Sequence, residues 1–187
     1  MDKFSLLMRL FLHYLDSSFI TIKKEIEIIK LYIEIEQIRL NDHFSFEFII
    51  NESILLKEIP TNLIQPFLEN AIKHGISHSL NSGKLVLKIT QENEFIKVII
   101  EDNGIGRKAS IEINKSRKNH ISKGIKIVEE KIKNLEEKYE IYVTLKLIDL
   151  GGELEVVSKK ANLIENNLNG TVVLLKIFNL KNELYNN

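Results

Sequence analysis

Two short stretches hold most of the side chains in this sequence that could do chemistry: Glu69-Asn70-Ala71-Ile72-Lys73-His74-Gly75 and Asp102-Asn103-Gly104-Ile105-Gly106. Asn70 offers a neutral carbonyl oxygen, a hard ligand of the kind Mg²⁺ takes alongside phosphates and waters. Lys73 stands at i+3 from it on a helical pattern, so an ammonium and the carboxamide can face the same phosphates. Glu69 adds a carboxylate able to orient a water or take a proton. Asp102 follows a hydrophobic strand pattern, Phe95 to Glu101, and a carboxylate only accepts hydrogen bonds. An exocyclic amino group such as adenine N6 is the matching donor. Gly104 and Gly106 let the backbone approach a flat ring, or adopt positive φ, without a Cβ penalty. Together these are the parts needed to hold a purine nucleotide and its magnesium ion. Singly, each has a plainer reading. Asp-Asn-Gly is a common turn, and Glu69 with Lys73 at i+4 makes a surface ion pair of roughly a few tenths of a kcal/mol.

Further residues fall in a telling order. Lys123-Gly124-Ile125 and Gly170-Thr171 follow the first two stretches. Ile59-Pro60 and Leu63-Ile64-Gln65-Pro66-Phe67-Leu68 lead directly into Glu69, while Glu25-Ile26, Tyr32-Ile33-Glu34-Ile35-Glu36 and Arg39 lie upstream. This pattern resembles the GHKL ATPase superfamily, shared by gyrase, MutL and sensor histidine kinases. Within it the pattern is most similar to the LytS/YehU-type kinases of two-component systems, over residues 4–178. The resemblance places Asn70 in the N box, Asp102, Gly104 and Gly106 in the G1 box, Gly124 in a reduced G2 box, and Gly170-Thr171 in the closing signature. It implies ATP and Mg²⁺ as ligands. Asp102 would read adenine, with Thr171 sharing a bridging water, and Asn70 would hold the metal. Lys73, His74 and Gly124 would complete the nucleotide set, and Glu69, Asn70 and Lys73 the catalytic set. Two positions depart from the pattern: Gly124 stands alone where relatives carry more glycine, and Lys131 replaces an arginine, losing its bidentate fork.

The implied function is the catalytic ATP-binding domain of a sensor histidine kinase, donating the γ-phosphate to a histidine outside this chain. The partners implied are that phosphoacceptor helix and a response regulator. The family's acceptor lies in a Pro-His-Phe-like motif that does not occur here. His13, the one histidine in the leading helices, is followed by Tyr14 rather than an acid and reads as a helix-face residue. A nucleotide-binding regulatory module without kinase activity, and a standalone ATPase of the superfamily, are the alternative readings.

The elements that must position these residues can be read along the chain. Phe4 to Tyr14 has a helical pattern, stopped by Asp16-Ser17-Ser18. Thr21 is the N-cap expected for a helix to about Leu40. Its two apolar stripes, Ile22/Ile26/Ile29/Ile33 and Leu31/Ile35/Ile38, form an arc wider than one packing face needs. A homodimer contact and packing on its own domain both fit that arc. His43 to Asn51 alternates as a strand with Phe44, Phe46 and Phe48 on one side. A helix is expected from about Leu63 to His74, with Pro66 in its first turn. Gly83 to Gln91 and Phe95 to Asp102 read as a hairpin. The polar run 107–123, with Lys108, Lys115, Arg117, Lys118, His120 and Lys123, has the character of a lid. From Gly124 a helix with Ile125, Val128, Ile132 and Leu135 runs to about Tyr139, its exposed first N–H groups suited to phosphate. Ile141 to Leu150 and Thr171 to Phe178 are strands. Leu154, Val156 and Val157 suggest a short one, before a polar loop at 162–169. The fold class expected is α+β: a two-layer sandwich of Bergerat type, a mixed sheet with helices on one face, preceded by two helices. Residues 1–41 read as a helical segment, 42–180 as the ATP-binding domain and 181–187 as a tail.

Composition sets outer bounds. The chain has 187 residues, enough for one domain with a real core and a helical appendage. Lys plus Arg and Asp plus Glu are 26 each, so the basic footprint of nucleic-acid binding is missing. No cysteine is present, which suits a reducing cytoplasm. No apolar run approaches the roughly eighteen residues of a span, so any membrane anchor would belong to a longer parent. His74 and His78 have the i, i+4 spacing of a zinc pair, but Gly75 interrupts the helix and no third ligand follows.

Overall fold

The computed structural model describes residues 3–14, 17–113, 120–150 and 170–179, without the side chains of 108, 111–113, 120–126 and 179. Asp16, Lys115, Arg117, Lys118, the strand suggested at Leu154 to Val157, the loop at 162–169 and the tail at 181–187 lie outside the described residues. So do the side chains of Lys108, His120, Lys123 and Ile125.

Helix α1 (Lys3–Tyr14) folds back along α2 (Ile22–Arg39), with Lys3 Nζ 2.7 Å from Glu34 at the far end of the pair. Thr21 caps α2, its hydroxyl accepting from the Lys24 N–H at 3.4 Å. Ile22, Ile26, Ile29 and Ile33 are buried in the core, and Leu31 and Ile35 pack partly against it. Ile38 is 66% exposed, so the second stripe runs out into solvent.

Five strands form one sheet in the order β2 (Phe44–Ile50), β4 (Gly83–Glu92), β5 (Phe95–Asp102), β7 (Thr171–Asn179), β6 (Ile141–Asp149). The β2–β4 pair is parallel and the others antiparallel. Alternation along most of the strands makes the sheet one-sided, breaking down only at the end where Glu101, Asp102, Val172 and Val173 are all buried. Leu85, Leu87, Ile89, Val98, Ile100, Leu175 and Ile177 are buried under the helices, with Phe46 and Phe48 packed against them. Lys84, Lys88, Lys97, Lys146 and Lys176 occupy the alternate positions of their strands. The expected architecture, a mixed sheet with helices on one face, is the one found.

Three local features differ from expectation. Strand β1 (Phe19–Thr21) pairs antiparallel with β3 (Glu58–Pro60), stitching the α1–α2 connection to the segment before α3. Strands this short carry no readable period, and Pro60 is tolerated because the ladder has only two strands. The expected helix from Leu63 breaks into α3 (Gln65–Asn70), a π-turn at Ala71–Gly75 and a 3₁₀ turn at Ile76–His78. Finally, the polar run is not wholly a lid. Gly106–Ile113 forms α4 with Ser110 buried, and α5 (His120–Tyr139) starts before Gly124, which lies inside the helix rather than at its exposed first turn. On α5, Val128 and Leu135 are buried and Ile132 partly so, as their spacing requires.

Candidate nucleotide site

The end of the sheet assembles the site. Register places Asp102 opposite Thr171, and Thr171 opposite Asp149, so the last residues of β5 and β6 flank the first residue of β7 in one row. Against this row lies the π-turn after α3, in which the Ile76 N–H reaches back to Ala71 O. The wider turn, a device often found at functional sites, puts Gly75 directly on Asp102. A Cβ built on Gly75 would sit 2.8 Å from Asp102 Oδ1. One built on Gly104 would lie 2.3 Å from the Gly75 carbonyl carbon, and the Ile105 N–H bonds to Gly75 O at 3.2 Å. Gly170, at φ +131°, passes so close that a Cβ would meet Asp102 O at 2.0 Å. Side chains are excluded from these approaches by geometry.

A cavity of about 200 Å³ opens here. Its walls are largely apolar (Phe67, Ala71, Leu147 and Val173), with Asp102, Asn70, His74 and Thr171 as the polar groups. Pockets that enclose drug-sized ligands run to roughly 300–1,000 Å³. This one therefore suits a flat ring system, with the remainder of any ligand outside it. Asp102 is 2% exposed. Burial pushes its carboxyl up to about 7; backbone hydrogen bonds from Gly104 (2.9 Å) and Thr171 oppose the rise, and Asp149 and Glu101 add to it. The Asp-Asn-Gly turn is real as well: Asn103 Oδ1 accepts from the Lys84 N–H and its amide donates to Ser82 O at 3.2 Å. Turn and site are the same object, with Asn103 holding β5 to β4 so that Asp102 faces inward.

Of the residues singled out by sequence, Asn70, His74, Asp102, Gly106 and Thr171 line this cavity. Gly106 takes φ +75°, where glycine is favoured. Gly104 stands behind Gly75 as backing. Gly124 lies in α5, and its surroundings are outside the described side chains. Glu69 and Lys73 do not line the cavity. Lys73 Nζ bonds Glu69 at 2.9 Å and lies 6.0 Å from the Tyr32 ring of α2, while Gln65 Nε2 donates to Glu69 at 3.1 Å. The short α3–π segment thus shows Asn70 and His74 to the cavity and Glu69 and Lys73 to the helical hairpin. Among the described residues no cluster of three or more His, Cys, Asp or Glu is arranged to hold a metal.

Sequence reasoning missed Arg107 and Ser110, which also line the cavity. Arg107 Nε donates to Asp149 Oδ1 at 3.0 Å, pinning the start of α4 to the end of β6. Its position directly after Gly106 was the available signal. Lys131, noted for replacing an arginine, does not point to this cavity: its ammonium donates to the Thr61 carbonyl.

Comparison with known proteins bears on the family. Residues 1–44 match the Histidine kinase family model. Sensor protein LytS of Oceanobacillus iheyensis is 35% identical over 99 residues, 53% of this chain but 17% of that protein, so the chain spans under a fifth of its length. Among solved structures, the histidine kinase domain of the Erythrobacter litoralis EL346 blue-light activated kinase superposes with TM-score 0.55 at 15% identity, covering 84% of this chain and 65% of that one. Histidine kinase ThkA, in a complex with the response regulator TrrA, superposes with TM-score 0.50 at 13% identity, covering 97% of this chain and 48% of that one. The chain is thus similar to LytS-type sensor histidine kinases over about half its length, and it has the fold of solved histidine kinase domains.

Proposed function

We propose that this chain binds Mg-ATP and presents its γ-phosphate to a histidine on another chain or segment, for passage to a response regulator. The observation that carries this reading is Asp102: a carboxyl 2% exposed, at the end of a strand, in an apolar slot walled by glycine backbone. Such a group is costly unless a ligand donor meets it, and an adenine amino group does so.

The residues present fit the metal as well. Asn70 would hold Mg²⁺ through one protein oxygen, the rest of its sphere coming from phosphates and water. The ion would supply neutralisation of phosphate charge. Lys73 and Glu69 occupy each other in the free protein, side chains 45% and 34% exposed. An exposed pair of this kind is worth only about 0.3–0.5 kcal/mol. Phosphate therefore draws Lys73 away at little cost, and the same motion frees Glu69 to orient a water or accept a proton. Glu69 faces α2 rather than the cavity, which favours transfer toward a helix over simple hydrolysis.

The exposed apolar side chains Phe4, Met8 and Leu12, spaced i, i+4, i+8 on α1, together with Ile38, offer a surface for a homodimer through the N-terminal helices. Among the described residues no helix is long and apolar enough to cross a membrane. The test of function is transfer of label from γ-³²P-ATP to the phosphoacceptor domain of a LytS-type kinase. Label on histidine, lost in Asn70→Ala, is expected. Nucleotide binding without any transfer would leave a regulatory module in its place.

A further inference from the structure

One peptide group at the root of α3 is held at both ends by ionisable side chains. Glu25 of α2 is 2% exposed, and its Oε2 accepts the Asn62 N–H at 3.4 Å, with a further backbone hydrogen bond from Ile64. Lys131 of α5 donates to the Thr61 carbonyl. The Thr61–Asn62 peptide is therefore gripped by an acid from one helix and an ammonium from another. Among the described residues no ion pair within 4.0 Å joins Glu25 and Lys131; each feels the other's charge, and the peptide between them takes a hydrogen bond from one and gives one to the other.

The gripped segment has reasons to need holding. Asn62 sits at φ +54°, in the left-handed region that asparagine tolerates but does not prefer. Ile64, the N-cap position of α3, provides no side-chain cap, so the carboxylate of Glu25 serves the start of α3 from a different helix. The next residues are α3 and the π-turn, which carry Asn70, His74 and Gly75 into the nucleotide cavity. A second tie joins the same parts: Tyr139 at the end of α5 bonds the Ser18 hydroxyl at 2.7 Å and meets the Phe19 ring edge-on. A cavity of about 240 Å³, lined by Tyr14, Glu25, Thr61, Gln65 and Lys131, lies against the grip. Lys131 thus has room to leave the peptide, and the contact is breakable rather than locked by packing.

We propose that Glu25 and Lys131 are positioning residues for nucleotide binding. Together they fix the Thr61–Asn62 peptide at the root of α3, so that docking of the α1–α2 hairpin and occupation of the nucleotide cavity favour one another. This rests on the nucleotide reading given above. Coupling between sites is reciprocal, and a factor of about five or more is the usual scale. The departure from arginine at this position acquires a meaning: a single carbonyl acceptor needs one donor, not a bidentate fork.

The test is calorimetric titration of Mg-ADP into the wild type, Glu25→Gln, Lys131→Met, Lys131→Arg and the Glu25→Gln/Lys131→Met double variant. Amide hydrogen exchange over 61–64 is followed in parallel. Weakening by about fivefold in Lys131→Met and in Glu25→Gln, no further loss in the double variant, and rescue by Lys131→Arg are expected. Exchange at the Asn62 amide should slow on adding nucleotide in the wild type and not in Lys131→Met. A merely structural role would lower melting temperatures and leave the dissociation constants alone, and that result overturns the proposal. Should Glu25→Gln fail to fold, half-buried Lys131→Met and Lys131→Arg still decide it. A wild type that binds no nucleotide defeats the nucleotide reading itself, whereas equal binding by all variants defeats only the coupling.

Discussion

The two sides of the α3–π segment are built on opposite principles. Toward the sheet, the cavity is largely apolar, preformed and intolerant. Asp102 is buried, and three glycines approach so closely that a single added methyl would collide with backbone or carboxyl. Toward the hairpin, Glu69 and Lys73 form an exposed ion pair that neutralises itself and costs little to break. Recognition of a base depends on a fixed partner, so rigidity serves it. Transfer of a phosphoryl group to another helix needs side chains that exchange partners, so weak pairing serves that. Under the proposed function one segment would serve both ends, because the π-turn at Ala71–Gly75 lets Gly75 seat on Asp102 within the same short stretch that carries Lys73.

The contrast predicts unequal responses to substitution. The largest is expected at Asp102→Asn. Nucleotide affinity should fall by about a hundredfold, near the 1.5–3 kcal/mol of a hydrogen bond to a charged group. The fold should survive, since the variant no longer buries an ionisable group. Circular dichroism with calorimetry checks both.

Next, Gly104→Ala forces a Cβ onto Gly75 backbone and should cost about 1–3 kcal/mol of stability, read by urea denaturation. Lys73→Ala on the other side should stay within about 0.5 kcal/mol in the same experiment. Equal losses at the two would erase the distinction between a rigid and a yielding side.

A pH series sharpens the contrast further. Asp102 and Glu25 are both raised to about 7 by burial, from ordinary values of 3.8 and 4.5. The folded protein thus holds these protons more tightly than the unfolded chain between pH 4 and 7. Their contribution to stability is full at the acid end of that window and lost as pH rises through 7. Without nucleotide, the melting temperature should therefore drop from pH 5 to pH 8. Ligand binding should run the other way, because an amino donor selects the ionised carboxyl. Adenosine, which lacks titrating phosphates, should bind about tenfold more weakly at pH 6 than at pH 8. The slope should vanish in Asp102→Asn.

The smallest effect expected is at Glu69→Gln. Its Mg-ADP affinity should remain within about twofold of wild type, while label transfer to histidine falls at least tenfold. A large loss of affinity there would place Glu69 in the binding site after all.

Much of this was legible in the chain because the sheet is one-sided. Alternation in 83–91 and 95–102 fixes which residues are buried, and the Asp-x-Gly-x-Gly turn at a strand end marks the pocket. What stayed hidden was information carried by other segments. The β1–β3 pair is set by contacts between residues 19–21 and 58–60, and neither run is long enough to show a period. The π-turn leaves no mark in hydrophobic spacing, so an unbroken helix was the natural expectation for 63–74. Glu69 and Lys73 lie on the expected helix but on its other side, where Glu69 bonds Gln65 one turn back and Lys73 lies over the Tyr32 ring of α2. Lys131 stands out in the sequence only as a departure from arginine, since nothing near 131 announces Thr61.

The measurement closest to the central claim is calorimetric titration of Mg-ATP and Mg-ADP into wild type and Asp102→Asn at pH 7.5. Saturable binding by the wild type, and binding about a hundredfold weaker by the variant, is the predicted result. Equal binding by both would contradict the placement of the base on Asp102, and no binding by the wild type would contradict the nucleotide site altogether.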